Sequence, residues 1–509
     1  MAADEGTGGN LQTGNRSMGK AMDQNNKNDN RQKKKIRFDQ GCILAVVLYF
    51  LLAGLLYFAA GTQLYERTAR KEIKSVQWDY ASAEFAAGYT LRQTFRCEMD
   101  TMESFQFYAA TFQRANAGQL LVRLIDDTTG QQLYENRVDM SQLTEGQAVV
   151  QQLPVCLKQL RGHMLAVELS SEDGAAGSAV GVWYNSTAQI KQMQMYSGGE
   201  AVPGVLCLDT HGTDQVWTGP HYWQIVIPAG AALFAYCLYL IRQYRLGRKH
   251  PIIMAAMLLD KYRFLIKQLT ARDFKIKYKR SVLGALWSFV NPLLMMSVQY
   301  FVFSTIFKAD IENYPVYLLA GIVLFNFFNE STNISLYAIT GNAALITKVY
   351  VPKYIYPVSK VISTGVNLLI SLLPLFLMCM ATGVRATKAW LLIPFDLVFL
   401  LVFCIGLGFM LSAVMVFFRD MQFIWNVFSM VLTYSTPIFY PESILPDNFQ
   451  GVLAINPMYH FIQFFRKIIL EGISPEPREY LICTLFSAAF CIIGVVVFKK
   501  SQDRFIFYI

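Results

Sequence analysis

Lys275, Lys277, Lys279 and Arg280 place four cations within six residues, with Tyr278 among them, immediately before a long apolar run. Cations this dense at the foot of an apolar segment hold that foot on the cytoplasmic side of a bilayer. They also put positive charge where anionic headgroups sit, at about 1 kcal/mol per cation. A second set, Asn326, Asn329, Glu330 and Asn333, recurs at i, i+3, i+4 and i+7 inside another apolar run, so its members share one helix face. Amides and a carboxylate facing lipid cost several kcal/mol, and this face is expected to meet a partner helix, a second copy or a wet path. A proton-relay role for Glu330 is disfavoured, because the spans offer no His or Lys to partner it.

Nothing else in the chain assembles into a reactive centre. The histidines (His163, His211, His221, His250 and His460) are scattered, and no Cys/His spacing suits zinc. Residues 14–21, GNRSMGKA, nearly spell a phosphate-binding loop but carry Ala21 where a hydroxyl should reach magnesium, and no strand precedes them. The expectation is therefore no catalytic residue, no metal and no cofactor bound by the chain itself. Of nine cysteines, six lie in or beside apolar runs and act as small hydrophobes. Cys97, Cys156 and Cys207 fall elsewhere, and their pairing stays open.

The elements that must position these groups follow from composition. The chain has 509 residues, 54% hydrophobic and only 16% charged, against roughly a quarter charged in a soluble domain. The deficit resides in eight apolar runs, 41–60, 222–241, 282–307, 316–339, 357–381, 389–416, 421–440 and 480–498, each near the ~20 residues a helix needs to cross a bilayer. From Arg242 to Arg280 twelve Lys/Arg face only Asp260 and Asp273, whereas residues 62–221 hold twelve Lys/Arg against eighteen Asp/Glu. The first segment reads as a cytoplasmic loop and the second as a translocated domain. Because the cations hug membrane boundaries, the membrane and not a nucleic acid is their expected partner.

The expected fold class is an α-helical polytopic membrane protein of eight spans, two plus a six-span core, with an extracytoplasmic β-sandwich of jelly-roll type. Residues 1–37 are polar and read as a disordered cytoplasmic tail. A first transmembrane helix follows over 38–61. It is an uncleaved anchor, since its apolar run exceeds the ~7–15 residues of a signal peptide. Residues 62–221 alternate apolar and polar, as at 104–109, 120–125, 164–170 and 179–184, with turns at 126–130 and 172–178, which is the pattern of short strands. Jelly-roll domains often bind sugars; an assembly role is the alternative. A second span over 222–242 leads to a basic interfacial segment, 243–281, whose face Met257, Leu258, Tyr262, Leu265 and Leu269 is apolar. The core fills 282–509. Residues 449–470 are apolar yet contain His460, Gln463, Arg466 and Lys467, and predict a re-entrant outer pair of helices broken at Asn456-Pro457 rather than a ninth span. Both termini are then cytoplasmic.

Residues 257–509 resemble the transmembrane subunit of ABC polysaccharide exporters, the group of O-antigen, capsule and teichoic-acid permeases. Four stretches carry the likeness in order: KYKRSVLGALWSFVNPLL (277–294), LITKVYVPKYIYP (345–357), FFRDMQFIW (417–425) and PIFYPESILP…NPMYHFIQFFRKIILEG (437–472). The resemblance implies a homodimer working with two copies of a separate cytoplasmic ABC ATPase, which uses the ATP and magnesium, on a lipid-linked, pyrophosphate-bearing glycan at the cytoplasmic (inner) membrane. It implies a coupling helix near Ile346, Lys348, Val349, Tyr350 and Pro352. In that setting Lys275, Lys277, Tyr278, Lys279 and Arg280 become the entrance for the carrier's pyrophosphate. The aromatic rings of Tyr300, Phe303, Phe307, Trp425, Phe428 and Phe439 become a glycan path between the third and seventh spans. An exporter of drugs or other amphiphiles, or a membrane-anchored sensor or wall-binding protein, are the alternative readings.

Overall fold

A computed structural model of the chain describes residues 38–72, 78–188, 193–248, 250–279, 281–306, 313–348, 351–442, 445 and 449–508. The expected tail and four site candidates, Arg280, Phe307, Val349 and Tyr350, lie outside the described residues. Two units emerge, residues 62–221 and the residues flanking them.

Residues 62–221 form two antiparallel sheets around one core. In chain order the strands are β1 (Glu66–Glu72), β2 (Tyr80–Ala81), β3 (Thr90–Arg96), β4 (Thr101–Ala110), β5 (Gln119–Asp126), β6 (Gln131–Asp139), β7 (Ala148–Lys158), β8 (Met164–Ser170), β9 (Gly181–Asn185), β10 (Met193–Ser197), β11 (Glu200–Val202), β12 (Val205–Leu206) and β13 (Asp209–Gln215). One sheet runs β1-β13-β4-β9-β12, with β2 on β9 and β7 on β4; the other runs β11-β10-β3-β8-β5-β6. Alternation decides which side chains go inside. Phe105 and Phe107 of the first sheet meet Leu91, Phe95, Val122, Leu124, Val167 and Leu169 of the second in the core, while Gln106 and Tyr108 point out. The pairing of β13 with β4 slips between His211 and Gly212. Only glycine fits there, since a Cβ at Gly212 would fall 1.9 Å from the Thr101 carbonyl.

In the helical unit, α1 (Phe38–Leu64) pairs with α2 (Thr218–Arg245) through hydrogen bonds rather than apolar contact alone. Tyr222 Oη donates to the Ala53 carbonyl at 2.6 Å, and Arg245 Nη2 bridges to Asp39 at 2.7 Å. The basic segment is one helix, α3 (Pro251–Tyr278), that runs on through Lys275 and Lys277. It packs on α7 (Ile355–Thr382), to which Lys360 Nζ, 2.9 Å from Asp273 Oδ2, ties it.

The core continues with α4 (Trp287–Phe301), α5 (Tyr314–Leu336) and α6 (Ala343–Lys348) before α7, then α8 (Ile393–Phe417), α9 (Met421–Ser435), α10 (Gln450–Ile455), α11 (Pro457–Arg466) and α12 (Pro477–Ser501). Six helices among the described residues are long and apolar enough to cross a membrane: Phe38–Leu64, Thr218–Arg245, Gly284–Ser304, Ile355–Thr382, Lys388–Phe417 and Pro477–Tyr508. Two of the eight expected runs behave differently, for separate reasons. α5 has 23 residues, but its amides and carboxylate lower its hydropathy. α9 is a helix of only 15 residues that stops before Pro437, whose ring cannot continue it. α8 and α12 approach closely because glycines face each other, and a Cβ on Gly494 would lie 2.0 Å from the Gly406 carbonyl. α5 is the centre of the bundle: nearly all its apolar side chains are buried, against α7, α8 and α11.

Candidate functional site

The exception to that burial is the polar face of α5. Asn326, Asn329, Glu330 and Asn333 are each half-buried and open into two clefts. One, of about 460 Å³, is walled by Lys277 and Tyr278 of α3, Trp287, Ser288, Asn291 and Pro292 of α4, the four α5 residues, and Asn367 and Ser371 of α7. The other, of about 340 Å³, shares Asn329 and Asn333 and is completed by α9 residues including Asn426, Ser429 and Thr433.

A charge pair anchors the larger cleft. Lys277 Nζ lies 2.6 Å from Glu330 Oε1, with the two side chains 39% and 29% exposed. This corrects the expectation that Glu330 has no cationic partner. The cation comes from the last turn of α3, which packs against the helices of the core. Asn367 Nδ2 donates to the same Glu330 oxygen at 3.0 Å, and Tyr278 Oη donates to Asn367 Oδ1 at 3.0 Å and also bonds Ser288 Oγ. On the other side, Asn329 Oδ1 accepts from Ser429 Oγ at 2.8 Å and from Asn333 Nδ2 at 2.7 Å. The stripe is thus a network joining α3, α4, α5, α7 and α9. Asn329, Glu330 and Asn333 are partnered, yet the clefts keep them accessible, as a hydrated path between helices requires.

Comparison with known proteins decides what kind of site this is. The profile of the family described as "ABC-2 type transporter" matches residues 264–470, which span every wall of both clefts. The chain is 31% identical over 244 residues to the O-antigen export system permease protein RfbA of Klebsiella pneumoniae, covering 47% of this chain and 93% of that one. It is 29% identical to the protein of the same name from Myxococcus xanthus, covering 48% and 96%. It is 21% identical to the polysialic acid transport protein KpsM of Escherichia coli, covering 47% and 93%. This chain belongs to the ABC-2 type transporter family, as a polysaccharide-export permease.

The remaining sequence candidates of the permease divide. Lys277 is committed to Glu330, whereas Lys275 and Lys279 are exposed. Among the path aromatics, Phe303 and Phe439 stack on each other at 5.6 Å, Tyr300 lies 5.8 Å from Tyr314, and Phe428 is exposed. Trp425 is a correction: it is 4% exposed and wedged between Phe328 and Phe428, because α9 turns that side toward α5 and offers its other face outward. At the expected coupling segment, α6 is a six-residue helix with Ile346 buried beside Ile339, Ile355 and Tyr356, leaving Lys348 exposed and Pro352 half-buried.

Several site residues escaped sequence reasoning although a signal existed. Ser359, Ser363, Asn367 and Ser371 repeat every four residues along α7, and Asn426, Ser429 and Thr433 recur at i, i+3 and i+7 on α9. These are polar stripes of the same kind as that on α5. Arg466 carried no such signal. At the end of α11 it is buried, stacked 3.4 Å over the Tyr317 ring, and donates to the carbonyls of Pro437 (2.7 Å), Ile438 (2.8 Å) and Tyr317 (3.1 Å). Tyr317 Oη and Tyr314 Oη donate in turn to the carbonyls of Tyr440 and Phe439. The irregular chain after α9 thus has its buried carbonyls satisfied, and Asn456, capping α11 through Met458 N, makes the break between α10 and α11.

Proposed function

We infer that this permease carries a lipid-linked polysaccharide across the cytoplasmic membrane as part of an ATP-driven exporter, and that hydrolysis belongs to a separate ATPase. The observation that carries this reading is the partnered but accessible polar cleft along α5, in a chain whose relatives are named for O-antigen export and polysialic acid transport. A solvated channel among apolar helices suits a chain of hydroxyl groups that cannot cross lipid unaided.

The working unit is a homodimer with two ATPase copies. Its eight spans are the six long apolar helices together with α5 and α9, both termini lie in the cytoplasm, and the β-sandwich closes as a jelly roll outside. The apolar faces of α4 and α9 that single copies leave exposed, including Val298, Phe301, Ile424 and Val427, meet in the dimer. Lys275, Lys279 and Arg280 hold the carrier's pyrophosphate at the cytoplasmic entrance, while Tyr300, Phe303, Phe428 and Phe439 contact the sugar chain beyond. α6 and the following residues seat in the ATPase, whose magnesium and ATP drive the halves apart. The test is to remove the partner ATPase and analyse lipid-linked sugars inside the cell. Accumulation of one lipid-linked glycan, reproduced by substituting residues 348–352, is expected; an unchanged lipid-linked pool would overturn the reading.

A further inference from the structure

The outward face of the seven-stranded sheet carries aromatic rings that a solvated sheet would ordinarily avoid. Trp78, just before β2, is 44% exposed and lies parallel to Trp183 of β9, with centroids 6.1 Å apart and planes inclined by 28°. Tyr108 of β4 packs on the same ring at 5.0 Å. Packed by both rings, Trp78 still keeps 44% of its surface open to solvent. Tyr80, 60% exposed, leans on Tyr184, which as the next residue of β9 turns to the core side.

These rings are held in place from behind. Trp183 Nε1 donates to Glu145 Oε1 at 3.0 Å, and the other oxygen of Glu145 accepts from Thr111 N, Thr111 Oγ1 and Gln113 N. Tyr108 Oη donates to Asp209 Oδ2 at 3.2 Å, as does Gln106 Nε2 at 2.8 Å. The patch thus combines immobilised ring faces with the Gln106 amide and the exposed Glu145 carboxylate at their margin, over the buried Asp209. Planar rings accept the apolar C–H face of a pyranose, while neighbouring amides and carboxylates take its hydroxyls. A protein partner would instead require an apolar core with few charges. Pre-set rings also spare the ligand the cost of ordering them.

We propose that Trp78, Trp183 and Tyr108, with Gln106 at their margin, form a saccharide-binding platform on the β domain that holds the exported glycan. The proposal rests on the export reading above. The 590 Å³ groove on the opposite sheet is the weaker candidate, because Tyr196 is the one aromatic among the described residues of its lining and no pair of rings is presented there.

The experiment uses the full chain in lipid nanodiscs and, as probe, delipidated surface polysaccharide from the cells that carry it, with binding measured by calorimetry. Trp78→Ala is expected to weaken binding at least tenfold and Trp78→Phe, which keeps a ring face, less than threefold. Trp217→Ala, which removes a 65% exposed tryptophan outside the patch, should leave binding unchanged. Equal binding by wild type and Trp78→Ala, or none by wild type, overturns the platform. So does conversion of a larger assembly to a smaller one by Trp78→Ala, which would make the patch a contact between copies. Glycan accumulation on loss of the ATPase does not depend on Trp78. Accumulation without platform binding therefore refutes the platform alone, and binding without accumulation refutes export alone.

Discussion

Removing either partner of the Lys277–Glu330 pair should expose how strongly α3 is bound to the transport core. Lys277→Met keeps the aliphatic stem and deletes the charge; Glu330→Gln keeps an oxygen to accept from Asn367 Nδ2. Exposed pairs contribute about 0.2–1 kcal/mol, whereas breaking a buried one costs about 3–5 kcal/mol. With the side chains 39% and 29% exposed and 2.6 Å between charged atoms, the pair falls between these limits. A coupling of roughly 1.5 kcal/mol follows, about a twelvefold change in an equilibrium constant. The assay is a double-mutant cycle on the unfolding of the purified permease in nanodiscs, followed by far-ultraviolet circular dichroism of its helices. Each single variant should lose about 1.5 kcal/mol and the double variant scarcely more than one of them. Additive losses, with a coupling under about 0.3 kcal/mol, would refute the ion pair as a link between α3 and α5.

Three further outcomes follow from the geometry. Arg466→Met removes three charge-assisted hydrogen bonds to buried carbonyls and should cost roughly 4 kcal/mol, with proteolysis appearing first in the 437–441 segment; an unaltered melting profile would contradict this tie. Gly494→Leu cannot be accommodated beside the Gly406 carbonyl, so the variant should be recovered largely aggregated in size-exclusion chromatography, and a monodisperse, equally stable product would sink the close approach of α8 and α12. In the β domain, hydrogen bonds from Arg114, 2.7 Å away, and from the Gly177 amide hold Glu84 below its ordinary carboxylate range. A depressed carboxylate stabilises the fold above its unfolded pKa of about 4.5 and loses that contribution as pH falls through the folded value. Amide exchange at Gly177, corrected for intrinsic rate, should accelerate below about pH 4.5 in the wild type but not in Glu84→Gln; identical profiles would dismiss the linkage.

Membrane character, the presence of a β-sheet domain and the helix break at Asn456-Pro457 were legible in the chain because each depends on a local sum. Hydropathy over twenty residues, alternation over six, and the missing amide hydrogen of a proline require no knowledge of distant neighbours. The polar face of α5 was legible for the same reason, since residues at i, i+3, i+4 and i+7 share a side of any helix. Which groups meet that face was not. Lys277 reaches Glu330 across 53 positions of sequence, and Arg466 reaches Tyr317 across 149. Both contacts exist only because α3 lies against α7 and α11 folds back beside α5. Trp425 carries the same lesson in reverse: its type suited a glycan path, but helix rotation turned it inward. Chain chemistry alone settled what must be buried and what must be wet; tertiary packing chose the partners, because only the crossing of helices brings remote charges within hydrogen-bond reach.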